Sequence, residues 1–83
     1  MNEKPPITMY ATTWCGDCKR AKSFFERNGI EYSLVNIEED EAAAAYVVEV
    51  NEGYQSVPTI VFPDGSILTE PTDQELKEKL NLS

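Results

Sequence analysis

The sequence predicts an α/β fold whose elements follow the order β-α-β-α-β-β-α. Runs typical of strands alternate with helical patterns in the first half of the chain, and two β-rich runs flank a turn sequence in the second half. A chain of 83 residues is long enough for one compact domain, which we assign to residues 1–83. Strands that alternate with helices and then end in a hairpin predict a sheet with helices packed on both faces.

The first strand and the first helix are predicted at residues 7–11 and 18–28. Alternate residues of the strand are apolar, as is typical of a strand that buries one face. In the helix, Phe24 and Phe25 share an apolar face that charged residues surround. Gly29 follows where the C-terminal cap of a helix belongs. The strand therefore leads into a loop that holds the two cysteines of the chain.

A second strand and a second helix are predicted at Tyr32–Ile37 and Ala42–Val50, with the acidic run Glu38–Glu41 between them. Carboxylates in the first turn of a helix complement the helix dipole. A metal site in this run would need oxygen ligands arranged by a loop geometry that nothing in the sequence specifies. We therefore interpret the acidic run as the start of the second helix.

The last three elements are predicted as a hairpin followed by a short helix. Two β-rich runs, Thr59–Phe62 and Ser66–Thr69, lie on either side of the turn sequence at residues 63–65. Thr72 stands three residues before Glu75, which is the spacing of a capping box at the start of a helix. These signals complete the predicted order of elements.

Acidic residues outnumber basic residues by 15 to 7, which gives the chain a formal net charge of -8. A negative surface repels phosphate backbones and so argues against nucleic acid as a partner. Met1–Pro6 is polar, and no apolar run behind it is long enough for a signal peptide or a membrane span. We therefore expect a cytoplasmic monomer that binds neither nucleic acid nor membranes.

The strongest functional signal is the sequence Trp14-Cys15-Gly16-Asp17-Cys18, placed between the first strand and the first helix. A sulfur at the start of a helix faces unpaired backbone N–H groups and the positive end of the helix dipole, and both favour the thiolate. A cysteine three residues later lies close enough to attack a mixed disulfide on the first sulfur. Because cytoplasmic thiols are kept mostly reduced, the pair indicates catalysis or metal binding before a structural disulfide.

Three other uses of Cys15 and Cys18 were weighed. A structural disulfide across so short a loop contributes only about 2 kcal/mol to stability through chain entropy, and the expected compartment opposes it. Zinc needs four ligands, and with two cysteines and no histidine the chain could supply four thiolates only as a dimer. An iron–sulfur cluster shared between two chains is chemically similar and stays open as an alternative.

Several segments of the sequence carry a family resemblance: Tyr10–Cys15 with Cys18, Val50–Gly53, Ser56–Thr59, Asp64–Ser66 and Thr69–Pro71. Through them the chain resembles the glutaredoxins of the thioredoxin superfamily, and among these the mycoredoxins of actinobacteria. The resemblance implies a thioredoxin fold with a four-stranded mixed sheet. It also implies Cys15 as the nucleophile, Cys18 as the resolving thiol and Pro58 in the cis form.

The resemblance further implies a groove beside Cys15 for the substrate and a small thiol. In that groove the backbone of Val57 would pair with the peptide-like part of a substrate, as the edge of a strand does. We predict that the groove is formed by Thr12, Thr13, Trp14, Gly16, Asp17, Val57, Pro58, Thr69 and Glu70.

The sequence departs from many glutathione-dependent glutaredoxins at three places in this groove. Those proteins carry a basic residue shortly before the first cysteine, a tyrosine before the second, and a Gly-Gly with an acidic pair near the third helix. This chain has Thr12, Asp17 and Thr69–Thr72 there. Glutathione has two carboxylates, so Asp17 and Glu70 should weaken its binding. Mycothiol is an uncharged pseudo-disaccharide thiol that escapes this repulsion and can bind hydroxyl and carboxylate acceptors.

The predicted function is that of a thiol–disulfide oxidoreductase that reduces protein disulfides and small-thiol mixed disulfides, with mycothiol as the reductant. Its partners would be disulfide-bonded or S-thiolated proteins and the small thiol, and no bound metal or cofactor is expected. One alternative is a redoxin served by glutathione or by a thioredoxin-type reductase, although the C-terminal aromatic motif expected of the latter is not seen in this sequence. Another is a non-enzymatic module that binds an iron–sulfur cluster or a thiol.

Overall fold

Seven elements follow the predicted order in the computed structural model, which describes residues 7–81. The strands are β1 (Ile7–Ala11), β2 (Tyr32–Asn36), β3 (Thr59–Val61) and β4 (Ile67–Thr69). The helices are α1 (Gly16–Arg27), α2 (Glu41–Val50) and α3 (Asp73–Lys79). The order β-α-β-α-β-β-α is therefore confirmed, whereas the expectation for Met1–Pro6 lies outside the described residues.

The four strands form one mixed sheet in the order β2-β1-β3-β4. β1 runs parallel to β2 and antiparallel to β3, and its Met9 lies opposite Leu34 on one side and Ile60 on the other. β3 and β4 are antiparallel neighbours. Because β1 and β2 are parallel, the residues that follow Ala11 and Asn36 leave the sheet at the same edge. This edge carries the cysteine loop.

Helices cover both faces of the sheet, as predicted. The larger cluster of buried side chains packs α1 and α3 against β1 and β3, and its fully buried members include Met9, Phe25, Ile60 and Leu76. A smaller cluster around Val47 packs α2 against the opposite face, where Tyr10 of β1 contacts it. Full burial of one such side chain contributes roughly 1.5–3 kcal/mol. The larger cluster therefore holds α1 at the end of β1, and the smaller one holds α2 on the other face.

The first helix begins earlier than the sequence predicts. α1 starts at Gly16 rather than at residue 18, because the side chain of Cys15 accepts a backbone hydrogen bond and acts as the N-cap. At the other end Gly29 follows the C-cap residue with a φ of 66°, a left-handed conformation that favours glycine. The cysteine pair therefore occupies the N-cap and the first turn of α1.

The other two helices each have an N-cap residue whose side-chain oxygen accepts a backbone hydrogen bond, Asp40 in α2 and Thr72 in α3. Asp40 caps α2 by accepting a hydrogen bond of 3.0 Å from the Ala43 N–H. The predicted capping box of α3 is present, with reciprocal hydrogen bonds between Thr72 and Glu75.

None of the helices in residues 7–81 has the length and apolar character needed to cross a membrane.

β3 and β4 form the predicted hairpin around residues 63–65. The Gly65 N–H donates to the Phe62 carbonyl oxygen at 2.8 Å, which closes the turn. The Asp64 carboxylate also accepts a hydrogen bond of 2.8 Å from Nζ of Lys79, at the end of α3. The turn is therefore tied to the last helix.

Candidate active site

Cys15 lies at the start of α1, where its sulfur faces the backbone of the first helical turn. Its φ of -86° and ψ of 116° are extended, as is typical of an N-cap residue. Sγ accepts a hydrogen bond of 3.1 Å from the Cys18 N–H. A sulfur in this place also lies at the positive end of the helix dipole, which stabilises negative charge. A backbone N–H of the first helical turn therefore points at the Cys15 sulfur.

The loop before β3 lies against the same sulfur. As a thiol, Cys15 donates to the Val57 carbonyl oxygen, which is 3.6 Å from Sγ. The Val57–Pro58 peptide bond is cis, as the resemblance implies, and Pro58 is buried. Cys15 keeps 8% of its surface exposed. The Cys15 sulfur is therefore largely covered, with the cis-proline loop against one side of it.

The environment of Cys18 differs from that of Cys15. Only 3% of Cys18 is exposed, and burial raises the pKa of its thiol to about 12. The hydrogen bond with Cys15 is the second cause of this increase, and the backbone N–H of Thr12 acts in the opposite direction. Cys18 is therefore protonated at neutral pH.

Hydrogen bonds fix the cis-proline loop from both sides. The Glu70 N–H donates to the Pro58 carbonyl oxygen at 2.8 Å, which ties the loop to the residue after β4. The Thr59 hydroxyl donates to the Ser56 carbonyl oxygen at 2.7 Å. Both bonds hold the segment that faces Cys15, so its position is set by the sheet.

Asn51, the C-cap of α2, also supports this loop and was not predicted as a site residue. Its Nδ2 donates to the Val47 carbonyl oxygen at 2.8 Å and to Oγ1 of Thr59 at 3.0 Å. Its Oδ1 accepts a hydrogen bond of 2.7 Å from the hydroxyl of Thr69. The hydroxyl of Thr69, which was predicted as a groove residue, thus donates to Asn51. Asn51 lies in a segment that carries the family resemblance, but no local pattern assigns it a role.

Glu38 binds the segment just before Cys15. Its Oε1 accepts hydrogen bonds from the N–H of Thr13 at 3.1 Å and from the Thr13 hydroxyl at 2.9 Å. Its Oε2 accepts one of 3.0 Å from Nε1 of Trp14. The pKa of Glu38 is lowered, first by the Thr13 N–H and then by the Thr13 hydroxyl and the Trp14 indole.

The sequence interpretation of the acidic run therefore needs a correction at its first residue. Asp40 caps α2 and Glu41 lies in its first turn, as expected. Glu38 instead reaches the cysteine loop, because the residues after β1 and β2 leave the sheet at one edge. A prediction that β1 and β2 pair in parallel would have placed Glu38 next to the cysteine loop.

Comparison with known proteins agrees with this geometry. The family model described as Glutaredoxin matches residues 7–67 of the chain. This chain belongs to the glutaredoxin family. A protein of Mycobacterium tuberculosis whose name assigns it to the glutaredoxins is 49% identical over 74 residues, which cover 89% of this chain and 88% of that protein. Mycoredoxin 1 of Corynebacterium glutamicum is 36% identical over 74 residues, which cover 89% and 91% of the two chains.

Solved structures show the same fold. A crystal structure of a mutant of the thioredoxin-like protein BC3987 matches with a TM-score of 0.82 and 28% identity, over 99% of this chain and all of that one (100%). The glutaredoxin of Archaeoglobus fulgidus matches with a TM-score of 0.71 and 28% identity, over 89% and 84% of the two chains. The predicted thioredoxin fold is therefore confirmed.

In this glutaredoxin site the two residues between the sulfurs are exposed. A Cβ atom added at Gly16 would meet no atom within 4 Å. The Asp17 carboxylate lies 3.6 Å from the guanidinium of Arg20, and each side chain is about half exposed (52% and 47%). An ion pair in water contributes little energy, so Asp17 stays available as a negative charge near the sulfurs.

The predicted groove residues fall on two sides of β1. Val57 and Pro58 precede β3, on one side. Thr12 and Thr13 line a cavity of about 210 Å³ on the β2 side, together with Cys18, Lys22 and Leu34. The structure therefore gathers Val57, Pro58 and Glu70 with Cys15 and places Thr12 and Thr13 next to a separate cavity.

Cys15 and Cys18 are both free thiols. They are the ligands that a metal or cluster would use, and within residues 7–81 no three or more Cys, Asp and Glu side chains gather into a metal-binding group. Two thiols in one helical turn can exchange a disulfide with a substrate, because the second sulfur can attack a disulfide formed on the first.

Proposed function

We propose that this protein reduces protein disulfides and S-thiolated cysteines by thiol–disulfide exchange through Cys15 and Cys18. The observation that carries the proposal is the hydrogen bond of 3.1 Å from the Cys18 N–H to Sγ of Cys15 at the start of α1. It stabilises a thiolate on one sulfur and keeps the second sulfur in the same turn. Membership in the glutaredoxin family supports the same chemistry. Both sulfurs belong to one chain, and we propose a monomer that works in the reducing cytoplasm without a bound cofactor.

In the first step the Cys15 thiolate attacks one sulfur of the substrate disulfide. A bond forms between Sγ of Cys15 and that sulfur, the substrate S–S bond breaks, and the leaving thiolate takes a proton from solvent. The backbone of Val57, next to the attacking sulfur, is placed to pair with the substrate chain.

Two routes complete the reaction. In the dithiol route Cys18 loses its proton and attacks Sγ of Cys15, which releases the second substrate thiol and leaves a Cys15–Cys18 disulfide. Two molecules of small thiol then reduce this disulfide and become one small-thiol disulfide. In the monothiol route Cys15 takes the small thiol from an S-thiolated protein, and a second small thiol attacks that adduct, which restores Cys15. The burial and the raised pKa of Cys18 support its role as the resolving sulfur.

We propose mycothiol as the small thiol. Asp17 lies between the two cysteines in the chain, and the Glu70 N–H is bonded to the Pro58 carbonyl oxygen, so two exposed acidic residues border the site. They repel the carboxylates of glutathione but can accept hydrogen bonds from the hydroxyl groups of mycothiol. The likeness to mycoredoxin 1 supports this choice.

The test is a turnover assay with one target protein capped by mycothiol, glutathione or bacillithiol, each with the matching free thiol as reductant. We expect the mycothiol adduct to be reduced about tenfold faster than the glutathione adduct, which corresponds to about 1.4 kcal/mol. Equal rates for the two adducts would contradict the choice of thiol and leave the exchange chemistry intact. Failure to reduce any adduct would contradict the proposed function.

Charge variants sharpen this assay. Asp17→Asn and Glu70→Gln remove the two carboxylates that border the site, so each should raise the rate with the glutathione adduct relative to the mycothiol adduct. Glu39→Gln makes the same charge change on an exposed residue outside the site and should leave the ratio unchanged.

A further inference from the structure

Trp14 combines large exposure with a fixed position. Its side chain is among the exposed large apolar groups, with 73% of its surface accessible, although it directly precedes Cys15. At the same time its indole N–H donates to Oε2 of Glu38 at 3.0 Å. An exposed tryptophan without a partner would move among several rotamers, whereas this hydrogen bond to a charged acceptor restrains it.

Glu38 is itself fixed by the sheet. The N–H of Ile37 donates to the carbonyl oxygen of Ala11 at 3.0 Å, which continues the β1–β2 pairing by one residue. The Glu38 N–H then donates to Oδ1 of Asn36 at 2.9 Å. From this position the carboxylate also accepts both hydrogen bonds of Thr13. The restraint on Trp14 therefore extends from the end of β2.

We propose that Glu38 is a positioning residue that holds the Trp14 indole as a fixed contact surface for protein substrates beside Cys15. The proposal rests on the proposed function, because it concerns how substrates of that reaction bind. Large aromatic side chains supply much of the contact energy at protein interfaces. A side chain that is already ordered loses less entropy on binding.

The kinetic test compares two substrates with the same disulfide chemistry. One is a folded protein whose single surface cysteine is capped by 2-mercaptoethanol, and the other is N-acetylcysteinamide capped in the same way. Fully reduced protein is mixed with each substrate in single turnover. We expect Glu38→Ala to raise the half-saturating concentration of the protein substrate by about 2- to 10-fold. The rate with the small substrate should stay within about 2-fold of wild type.

Matched variants separate positioning from stability. Glu38→Gln keeps the shape and one acceptor oxygen and should give a smaller effect than Glu38→Ala. Trp14→Phe keeps a ring but removes the N–H donor, so its effect and that of Glu38→Ala should not add. Glu39→Ala removes a neighbouring exposed carboxylate and should behave as wild type.

The fluorescence of the protein gives a second readout, because Trp14 is its single tryptophan. We expect lower emission anisotropy in Glu38→Ala, as the indole gains freedom, and a partial return in Glu38→Gln. Unchanged anisotropy together with an unchanged half-saturating concentration would overturn the proposal, as would an equal loss with both substrates. Wild-type protein inactive on both substrates would instead overturn the proposed function, and with it this role of Glu38.

Discussion

Cys15 and Cys18 lie in one helical turn, yet their sulfurs have different surroundings. Sγ of Cys15 accepts a backbone N–H and borders the Val57 carbonyl oxygen, whereas Cys18 is almost fully enclosed. A backbone donor therefore faces the first sulfur, whereas burial raises the pKa of the second. This difference is the residue-level basis for assigning attack to Cys15 and resolution to Cys18.

Replacement of Cys18 should separate the two routes. Cys18→Ser removes the resolving sulfur but keeps the backbone N–H that faces Cys15, so reduction of small-thiol adducts should continue within about 3-fold of wild type. Reduction of a protein disulfide should fall at least about 100-fold, because the mixed disulfide is no longer released from within the site. Turnover assays with both substrate types measure this split. Cys15→Ser is the control that should lose both activities, and loss of both in Cys18→Ser would contradict the assigned roles.

The raised pKa of Cys18 predicts a slow alkylation reaction. In Cys15→Ser the single remaining thiol is still buried, and burial is the largest cause of the raised pKa. Alkylation by iodoacetamide should therefore accelerate only at a pH clearly above about 8.5, the value for a free thiol. The rate measured against pH, with the unfolded variant as control, tests this expectation. An inflection at or below the unfolded value would contradict it.

Sequence reasoning identified the cysteines but not their supporting residues. The pair is visible because its spacing and its place before a helix are both local. Glu38 and Asn51 act on residues far away in the chain, Thr13 and Thr69, so their roles depend on strand pairing that no short pattern encodes. Thr13 and Thr69 were placed in the groove from the resemblance, and their hydroxyls are directed to these two residues instead.

At the scale of elements, the end of α2 supports the loop that faces Cys15. The side chain of Asn51 makes three hydrogen bonds, to Val47 in its own helix and to Thr59 and Thr69 in β3 and β4. Asn28 at the end of α1 makes the same bond to its own helix, from Nδ2 to the Phe24 carbonyl oxygen at 2.8 Å. Asn28 is therefore a matched control for Asn51, because it caps its own helix in the same way.

Asn51→Ala should destabilise the protein more than Asn28→Ala. A hydrogen bond contributes about 1 kcal/mol, so we expect losses of about 2–3 and about 1 kcal/mol in the free energy of unfolding. Asn51→Ala should also slow reduction, because the cis-proline loop loses its support, while Asn28→Ala should leave the rate unchanged. Urea unfolding and the turnover assay measure the two effects. Equal losses of stability would show that the links to β3 and β4 contribute nothing.

Element boundaries could be predicted where the signal was local. The alternating strand at Ile7–Ala11 and the capping box at Thr72 lie where the sequence indicates. The apolar pattern placed the start of α1 at residue 18, because Gly16 and Asp17 carry no apolar signal, whereas the argument from the cysteines placed Cys15 at the start of the helix, as observed. β2, β3 and β4 are shorter than predicted, since strand length depends on partners as well as on the apolar pattern.

For the molecule as a whole, the fold was more predictable than the site. The alternation of strands and helices and the hairpin at residues 63–65 are enough to indicate one sheet covered by helices on both faces. The resemblance added that the sheet is mixed, but the order of the strands and the parallel β1–β2 register came from the structure, because pairing joins segments that are distant in the chain. The site is assembled by that pairing, so it could be predicted only in part.

The stability of the whole protein should fall in acid, in part through Asp64. The pKa of this carboxyl is lowered, first by the hydrogen bond from Lys79 and then by Ser66. A pKa lowered by folding stabilises the protein above the unfolded value of about 3.9, and this stabilisation is lost as the pH falls through the folded value. Between about pH 5 and pH 2, Asp64→Asn should therefore lose stability less steeply than wild type in urea unfolding.

The control for this prediction is Glu39→Gln. Glu39 is an exposed carboxylate that forms no ion pair with the described part of the chain. Its removal should leave the slope of stability against pH close to that of wild type. An equal change of slope in both variants would contradict a specific role for Asp64.

The two residues between the sulfurs, Gly16 and Asp17, can change without disturbing the fold. Gly16 has free space around it and Asp17 projects into water, so neither contributes to the packed interior. Descendants of this sequence can therefore exchange both residues between the sulfurs and retain the same scaffold. The reduction potential of the Cys15–Cys18 disulfide is therefore a property that evolution can adjust while the fold stays the same.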